Sequence, residues 1–181
     1  MVQVKPTIEH VDGFRVAGVH AGLKKDNALD FALFVSDTDC ATGALFTTNT
    51  VKAACVLVDM EIMSTHSATI RAVAVNTKCA NACTGEQGIT NAKETAKQVA
   101  EKIGCAPEQV LVLSTGVIGT QLPMDKITNG INLAYTRSVT AGQRPPMASA
   151  RQTHAPRWPQ HRSRSHLAKL CRSPVSVKAA A

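Results

Sequence analysis

Aromatic residues are scarce in this chain. One Trp, one Tyr and four Phe account for 3% of the 181 residues. The core must therefore be built from Val, Ile, Leu and Ala, and a hydrophobic content of 44% is enough to form one. No segment reaches the ~18–20 apolar residues of a membrane span, so no membrane partner is expected. Met1 to Gly13 holds neither an apolar run nor an Arg/Ser-rich amphipathic stretch, and no secretory or organelle signal is expected. Repeated cysteine spacing is also missing. Cys79 and Cys83 lie four apart with no matching second pair, so small buried residues are a better reading than a zinc site. Cys40, Cys55, Cys105 and Cys171 complete the set, and reduced thiols are expected.

Acidic residues are absent from the last 47 residues. All 13 Asp and Glu fall within residues 1–134, against 11 of the 20 Lys and Arg, giving −2; residues 135–181 hold the other nine basic residues, giving +9. The overall charge of +7 thus describes the tail and not the folded part. The tail also has five of the eight prolines, three of the six histidines and the sole Trp, with no sustained apolar period. Such a segment buries too little surface to offset its ordering entropy. The organisation expected is an α/β domain over 1–134 and a basic, disordered tail over 135–181.

Within the first 134 residues, short β-like runs alternate with helical ones. Strands are expected at 30–35, at 43–48 as the partner of 30–35, and at 55–58, 71–76 and 109–113. A helix is expected from Asn91 to Ile103, with Ala92, Ala96, Val99, Ala100 and Ile103 on one face, Thr90 or Asn91 capping its start and Gly104 its end. Another should begin near Pro123, whose fixed φ suits a first turn. Mixed elements in this order indicate an α/β or α+β domain.

Three stretches, in order, resemble the ornithine acetyltransferase family, the bifunctional glutamate N-acetyltransferases of arginine biosynthesis. The first is Gly13-Phe14-Arg15-Val16-Ala17-Gly18-Val19-His20-Ala21-Gly22-Leu23-Lys24, followed by Leu29-Asp30-Phe31-Ala32-Leu33 and Leu45-Phe46-Thr47-Thr48-Asn49. The second is Ala80-Asn81-Ala82-Cys83-Thr84-Gly85 with Gln87-Gly88. The third is Ser114-Thr115-Gly116-Val117-Ile118-Gly119, followed by Leu122-Pro123-Met124-Asp125-Lys126-Ile127. The resemblance implies the N-terminal half of a layered α/β sandwich made by two chains. Those chains arise when a precursor cleaves itself before a Thr, and they assemble as α/β heterotetramers.

The resemblance also implies chemistry. An acetyl group passes from N2-acetylornithine to the new N-terminal Thr and then to glutamate, and some members accept acetyl-CoA as a co-substrate; no other cofactor is implied. An N-terminal Thr carries base and nucleophile in one residue. Acyl transfer puts negative charge on the carbonyl oxygen, and each preformed donor aimed at it is worth roughly 3–4 kcal/mol. The family's donors map onto Thr115 and Gly116. Taken on its residues alone, the same stretch is an ordinary strand-to-loop turn. Asn81, Thr84 and Gly85 are expected to form a turn, and His20 and His66 to occupy solvent or core positions. The compartment implied is the cytoplasm, or the mitochondrial matrix in a eukaryote.

This chain departs from the family pattern. Members usually have Asn-Ser-Gly-Asn where Asn76-Thr77-Lys78-Cys79 stands, so a positive φ at Lys78 would be strained. Pro is usual at the place of Cys55. The Thr-Thr-Asp-Thr cleavage motif is absent. Shifting the frame so that each codon joins its last base to the next two lets Ala150–Pro159 encode Thr-Thr-Asp-Thr-Arg-Pro-Lys-Met-Ala, which points to a frameshift or mis-joined splice near Ala134. Without the nucleophile, the chain alone is expected to be inactive. A noncatalytic subunit pairing with a separate second chain is the alternative. A basic arm around Arg162-Ser163-Arg164-Ser165 would suit nucleic acid, but with only Trp158 interleaved that partner is not expected.

Overall fold

The computed structural model describes residues 11–142 and 175–178. Among the described residues the strands and α-helices follow one another as β1 (Phe14–Val19), β2 (Phe31–Cys40), β3 (Thr42–Leu45), α1 (Ala54–His66), β4 (Ile70–Asn76), α2 (Gly85–Ile103), β5 (Val110–Ser114), α3 (Met124–Gly142) and β6 (Val175–Lys178), with a short 3-10 turn at Pro107–Gln109 before β5. The main sheet has the order β1-β2-β4-β5. β2 pairs antiparallel with β1 and with β4, while β4 and β5 run parallel with α2 as their crossover. β3 pairs with β6 in a separate parallel ribbon. The expected α/β class is the one observed.

One face of the sheet carries the core. Val35, Leu33 and Phe31 align with Ala72, Ala74 and Asn76, which in turn align with Val110, Val112 and Ser114. These side chains are buried under the helices, α3 packing on β1 and β2, and α2 on β4 and β5. From α2 and α3, Val99, Ile127 and Ile131 fill the space, each at 1% exposure or less. Burying a side chain of this size stabilises by about 1.5–3 kcal/mol. The opposite face presents Val16, Ala32, Phe34, Val73, Val75 and Leu113, all half-buried. An antiparallel sheet with one solvated face usually alternates apolar and polar residues, and here both alternations are apolar.

Two expectations change. Residues 55–58 lie in α1 and not in a strand. A four-residue apolar run does not by itself distinguish a strand from a buried helical segment. The pattern continues at helical spacing through Asp59 and Ile62, both buried with Cys55 and Val58. The 43–48 run is shortened to β3 and pairs with β6; the places beside β2 are taken by β4 and by β1. α2 also starts six residues before Asn91, at Gly85, with Thr84 at its N-cap and no side-chain cap bond. Gly104 ends it as expected, at φ 75°, its N–H bonded to Ala100 O.

Where the composition changes at Ala134, α3 continues to Gly142. The remainder of the expected tail, apart from β6, lies outside the described residues, as do the shifted-frame stretch and the basic arm. Among the described residues no helix is long and apolar enough to cross a membrane.

α1 is fixed to the outer edge of β5 by one buried group. Asp59, 5% exposed, accepts the Val112 N–H at 2.9 Å through Oδ1. Burial pushes its carboxyl up to about 7, against a smaller lowering by the Val112 N–H. Asp59 therefore holds its proton more tightly folded than unfolded. Folding is favoured at low pH, and that advantage is lost as pH rises from about 4 to about 7. Asp59→Asn keeps an acceptor for Val112 without titrating. Its stability relative to wild type should grow by roughly 2–3 kcal/mol between about pH 5 and about pH 8 in urea unfolding; an unchanged gap would show that Asp59 is ionised throughout.

Lys78 takes φ 79°. A left-handed conformation costs a residue with a Cβ about 1–2 kcal/mol. Lys78→Gly should therefore raise the unfolding free energy by up to about 1 kcal/mol once glycine's greater chain entropy is subtracted. A lower urea midpoint would contradict this.

Candidate active site

β4 and β5 end side by side, and the ladder between them continues into the loops that follow. Thr115 N–H donates to Asn76 O at 3.1 Å, Val117 N–H to Lys78 O at 3.0 Å, and Ala80 N–H to Val117 O at 3.0 Å. Further along, Gly119 N–H donates to Ala82 O at 2.8 Å. Side chains reinforce the joint. Ser114 Oγ donates to Asn76 Oδ1 at 2.6 Å, and Asn76 Nδ2 donates to Cys79 O at 2.9 Å. Gly116 has φ 138°, and a Cβ there would overlap the Lys78 carbonyl group and the Cys79 nitrogen. Only glycine lets the two backbones approach this closely.

Successive peptide groups of an extended chain point to opposite sides. The N–H groups of Thr115 and Val117 are spent on the neighbouring chain, and that of Gly116 points the other way. Among the described residues, neither Gly116 N–H nor Thr115 Oγ1 has a hydrogen-bond partner. Both residues are exposed. The donors offered by the pair expected from the sequence are thus one hydroxyl and one N–H, not two N–H groups.

These two residues stand at the rim of a cleft of about 590 Å³ at the C-terminal ends of β4 and β5. Parallel strands characteristically place ligand sites at that end. Val51, Val56, Val75 and Ala80 wall the cleft, and Cys55 and Asp59 of α1 lie deeper. The Cys55 thiol is raised by burial and by the Asp59 charge, against lowering by the adjacent Ser114. Val117 and Ile118, 54% and 64% exposed, extend past the rim.

The stretch expected to form a turn leads instead into α2, with Thr84 at the helix N-cap and Gly85 as its first residue. Asn81, fully buried at φ 51°, donates from Nδ2 to Gly88 O at 2.9 Å and accepts the Thr84 hydroxyl at 2.9 Å. Gly85 opens α2 at φ 63°. Cys79 is buried, its thiol 2.9 Å from Thr120 O, while Cys83 is exposed on the cleft. Among the described residues no three His, Cys, Asp or Glu side chains converge as metal ligands. His66 is partly exposed at the end of α1. His20 Nδ1 lies 3.1 Å from Asp30 Oδ2. Burial would raise the Asp30 carboxyl, but the N–H groups of Ala21, Lys24 and Leu23, with His20, outweigh it and hold it low. Neither histidine lines the cleft.

Sequence reasoning did not single out Asp59, Asn76 or Ser114. The signal for Asp59 was its place four residues after Cys55, on one helical face. Reading 55–58 as a strand concealed it.

Comparisons with known proteins agree with this geometry. A sequence model of the ArgJ family matches residues 15–155. The arginine biosynthesis bifunctional protein ArgJ of Geobacter sulfurreducens is 54% identical over 122 residues, which are 67% of this chain and 30% of that protein. The mitochondrial ArgJ of Aspergillus terreus is 45% identical over 127 residues, 68% of this chain and 28% of that protein. The chain thus spans less than a third of these two curated relatives, matching their N-terminal part. Among solved structures, ornithine acetyltransferase of Mycobacterium tuberculosis in complex with ornithine superposes with a TM-score of 0.68 at 40% identity, over 71% of this chain and 69% of that one. ArgJ of Bacillus halodurans superposes at 0.67 and 34% identity, over 75% of this chain and 72% of that one. By sequence and by fold alike, the chain belongs to the ArgJ family.

Proposed function

We propose that these residues supply the carbonyl-binding part of an acetyl-transfer site in arginine biosynthesis. N2-acetylornithine is the donor and glutamate the acceptor, with acetyl-CoA as a second acetyl source that some members use. The observation that carries this role is the pair at the rim of the cleft, Thr115 Oγ1 and Gly116 N–H, which has no hydrogen-bond partner among the described residues. When a nucleophile adds to the acetyl carbonyl, charge moves onto its oxygen. Donors already fixed there stabilise that charge without reorganising. The Asn76–Ser114 bond and the backbone ladder provide the fixing.

The nucleophile must come from elsewhere, because no Thr-Thr-Asp-Thr motif stands in the 181 residues. A second chain beginning with that Thr would complete the site. The half-buried apolar face of the sheet supports such a partner, since Phe34, Val73 and Leu113 gain most from a covering layer. The cytoplasm, or the mitochondrial matrix in a eukaryote, is the compartment that fits an enzyme of this pathway.

Co-expression with the threonine-initiated chain of a relative tests the proposal. The complex should co-purify and form N-acetylglutamate, and the 181 residues alone should form none. Thr115→Val in the complex should lower kcat by about 10²–10³ with little change in KM. Full activity of Thr115→Val would remove the hydroxyl from the mechanism, and product from the isolated chain would show that the missing nucleophile is not needed.

A further inference from the structure

α1 separates two concavities. Cys55 and Asp59 line the cleft, whereas Val58, Ile62 and Thr65 line a groove between α1 and α2. The spacing of 58, 62 and 65 is that of one helical stripe, and Lys93, Ala96 and Lys97 form its counterpart on α2. The groove encloses about 350 Å³, within the range of small-ligand sites, and shares no lining residue with the cleft. Its floor is apolar, made by Val58, Ile62 and the short side chain of Ala96, all buried.

The charges around this floor are sorted along it. Lys93 is already matched, its Nζ 3.3 Å from Glu61 Oε2. Lys97 and Glu108 also line the groove, and neither has an ion-pair partner among the described residues. Lys97 lies within α2, six residues before its end at Ile103, which is roughly 9 Å of helix. Glu108 stands beyond that end, in the short 3-10 turn Pro107–Gln109. Gln109 Nε2 donates to Thr69 O at 2.7 Å and so holds this turn against the residues that follow α1. Both helices thus finish beside the turn, and the partial negative charge of their C-termini adds to that of Glu108. His66 is there too, with Nδ1 2.7 Å from Thr65 Oγ1. One end of the groove therefore favours a cation, and Lys97 offers an anion site apart from it.

We infer that the groove is a binding site for a small ω-amino carboxylate, a molecule with a carboxylate at one end, an ammonium at the other and a short alkyl chain between. The carboxylate accepts from Lys97 Nζ, and the ammonium donates to the Glu108 carboxylate. The methylenes cover Val58, Ile62 and Ala96 and remove that floor from water. A molecule with only one of the two charges leaves the opposite end to solvent. No bond is made or broken, so the groove recognises its ligand and does no chemistry on it. Because it lies on the far side of α1 from the cleft, it stands whether or not acetyl transfer occurs there.

The test titrates ε-aminocaproate, caproate and protonated hexylamine into the full 181-residue chain and follows its amide signals by nuclear magnetic resonance. ε-Aminocaproate should shift Ala96, Lys97 and Glu108 saturably and leave Thr115 and Gly116 in place. Caproate and hexylamine should bind at the same residues, each roughly two- to fivefold more weakly, the range expected for one exposed ion pair. Both differences should fade as salt is raised. Lys97→Gln should erase the advantage over hexylamine and keep that over caproate, and Glu108→Gln should do the reverse. Both side chains are exposed, so the variants should keep the wild-type spectrum elsewhere. Equal binding of the three probes, preferences that neither variant changes, shifts confined to the cleft, or no shifts at all would each overturn the assignment.

Discussion

Close contact between two backbone segments, Asn76–Cys79 and Ser114–Val117, is the constraint on which the rest of the site depends. Lys78 can lie against residue 116 only because the latter is glycine. The contact keeps the ladder running after β4 and β5 have ended as strands. It holds Thr115 and Val117 by their N–H groups and leaves the peptide between them facing outward. Asn76 and Ser114 lock the joint from the buried face. The exposed donor at Gly116 is therefore a property of the sheet and not of a free loop.

The same sheet distributes burial unequally. Three helices cover one face and the edge of β5, while the other face shows apolar side chains in every row. Lys78 and Asp59 illustrate local costs within this arrangement. One is a side chain at a backbone angle suited to glycine, and the other is an acid in a nearly dry place. Both adjoin the cleft or its supporting loop, where strained or desolvated groups are commonly found at functional sites.

Much of this was legible in the residues. The alternation in 71–76 and the helical face of 92–103 gave β4 and the latter part of α2, because each has a clean period. Gly104 marked its own helix end. The beginning of α2 was hidden because Asn81, Thr84 and Gly85 read as a turn, whereas Thr84 and Gly85 start the helix and Gly88 packs closely against Asn81 and Thr84. α1 was missed because Cys55–Val58 is apolar on all sides and its period emerges only with Asp59 and Ile62. Thr115 and Gly116 were found through their motif, but which of their atoms were free depended on partners nearly forty residues away.

The alternating use of peptide groups makes the spacing of the supporting loop part of the chemistry. A single-residue insertion or deletion between Asn76 and Cys79 would slip the pairing by one position. Thr115 would keep its bond to Asn76, but Val117 would lose its bonds to Lys78 O and Ala80 N–H, so the Gly116 peptide would be held from one side only. Every side chain of the motif could survive such a change and the site would still lose the anchor that fixes its donor. Length here is as much an active-site property as identity.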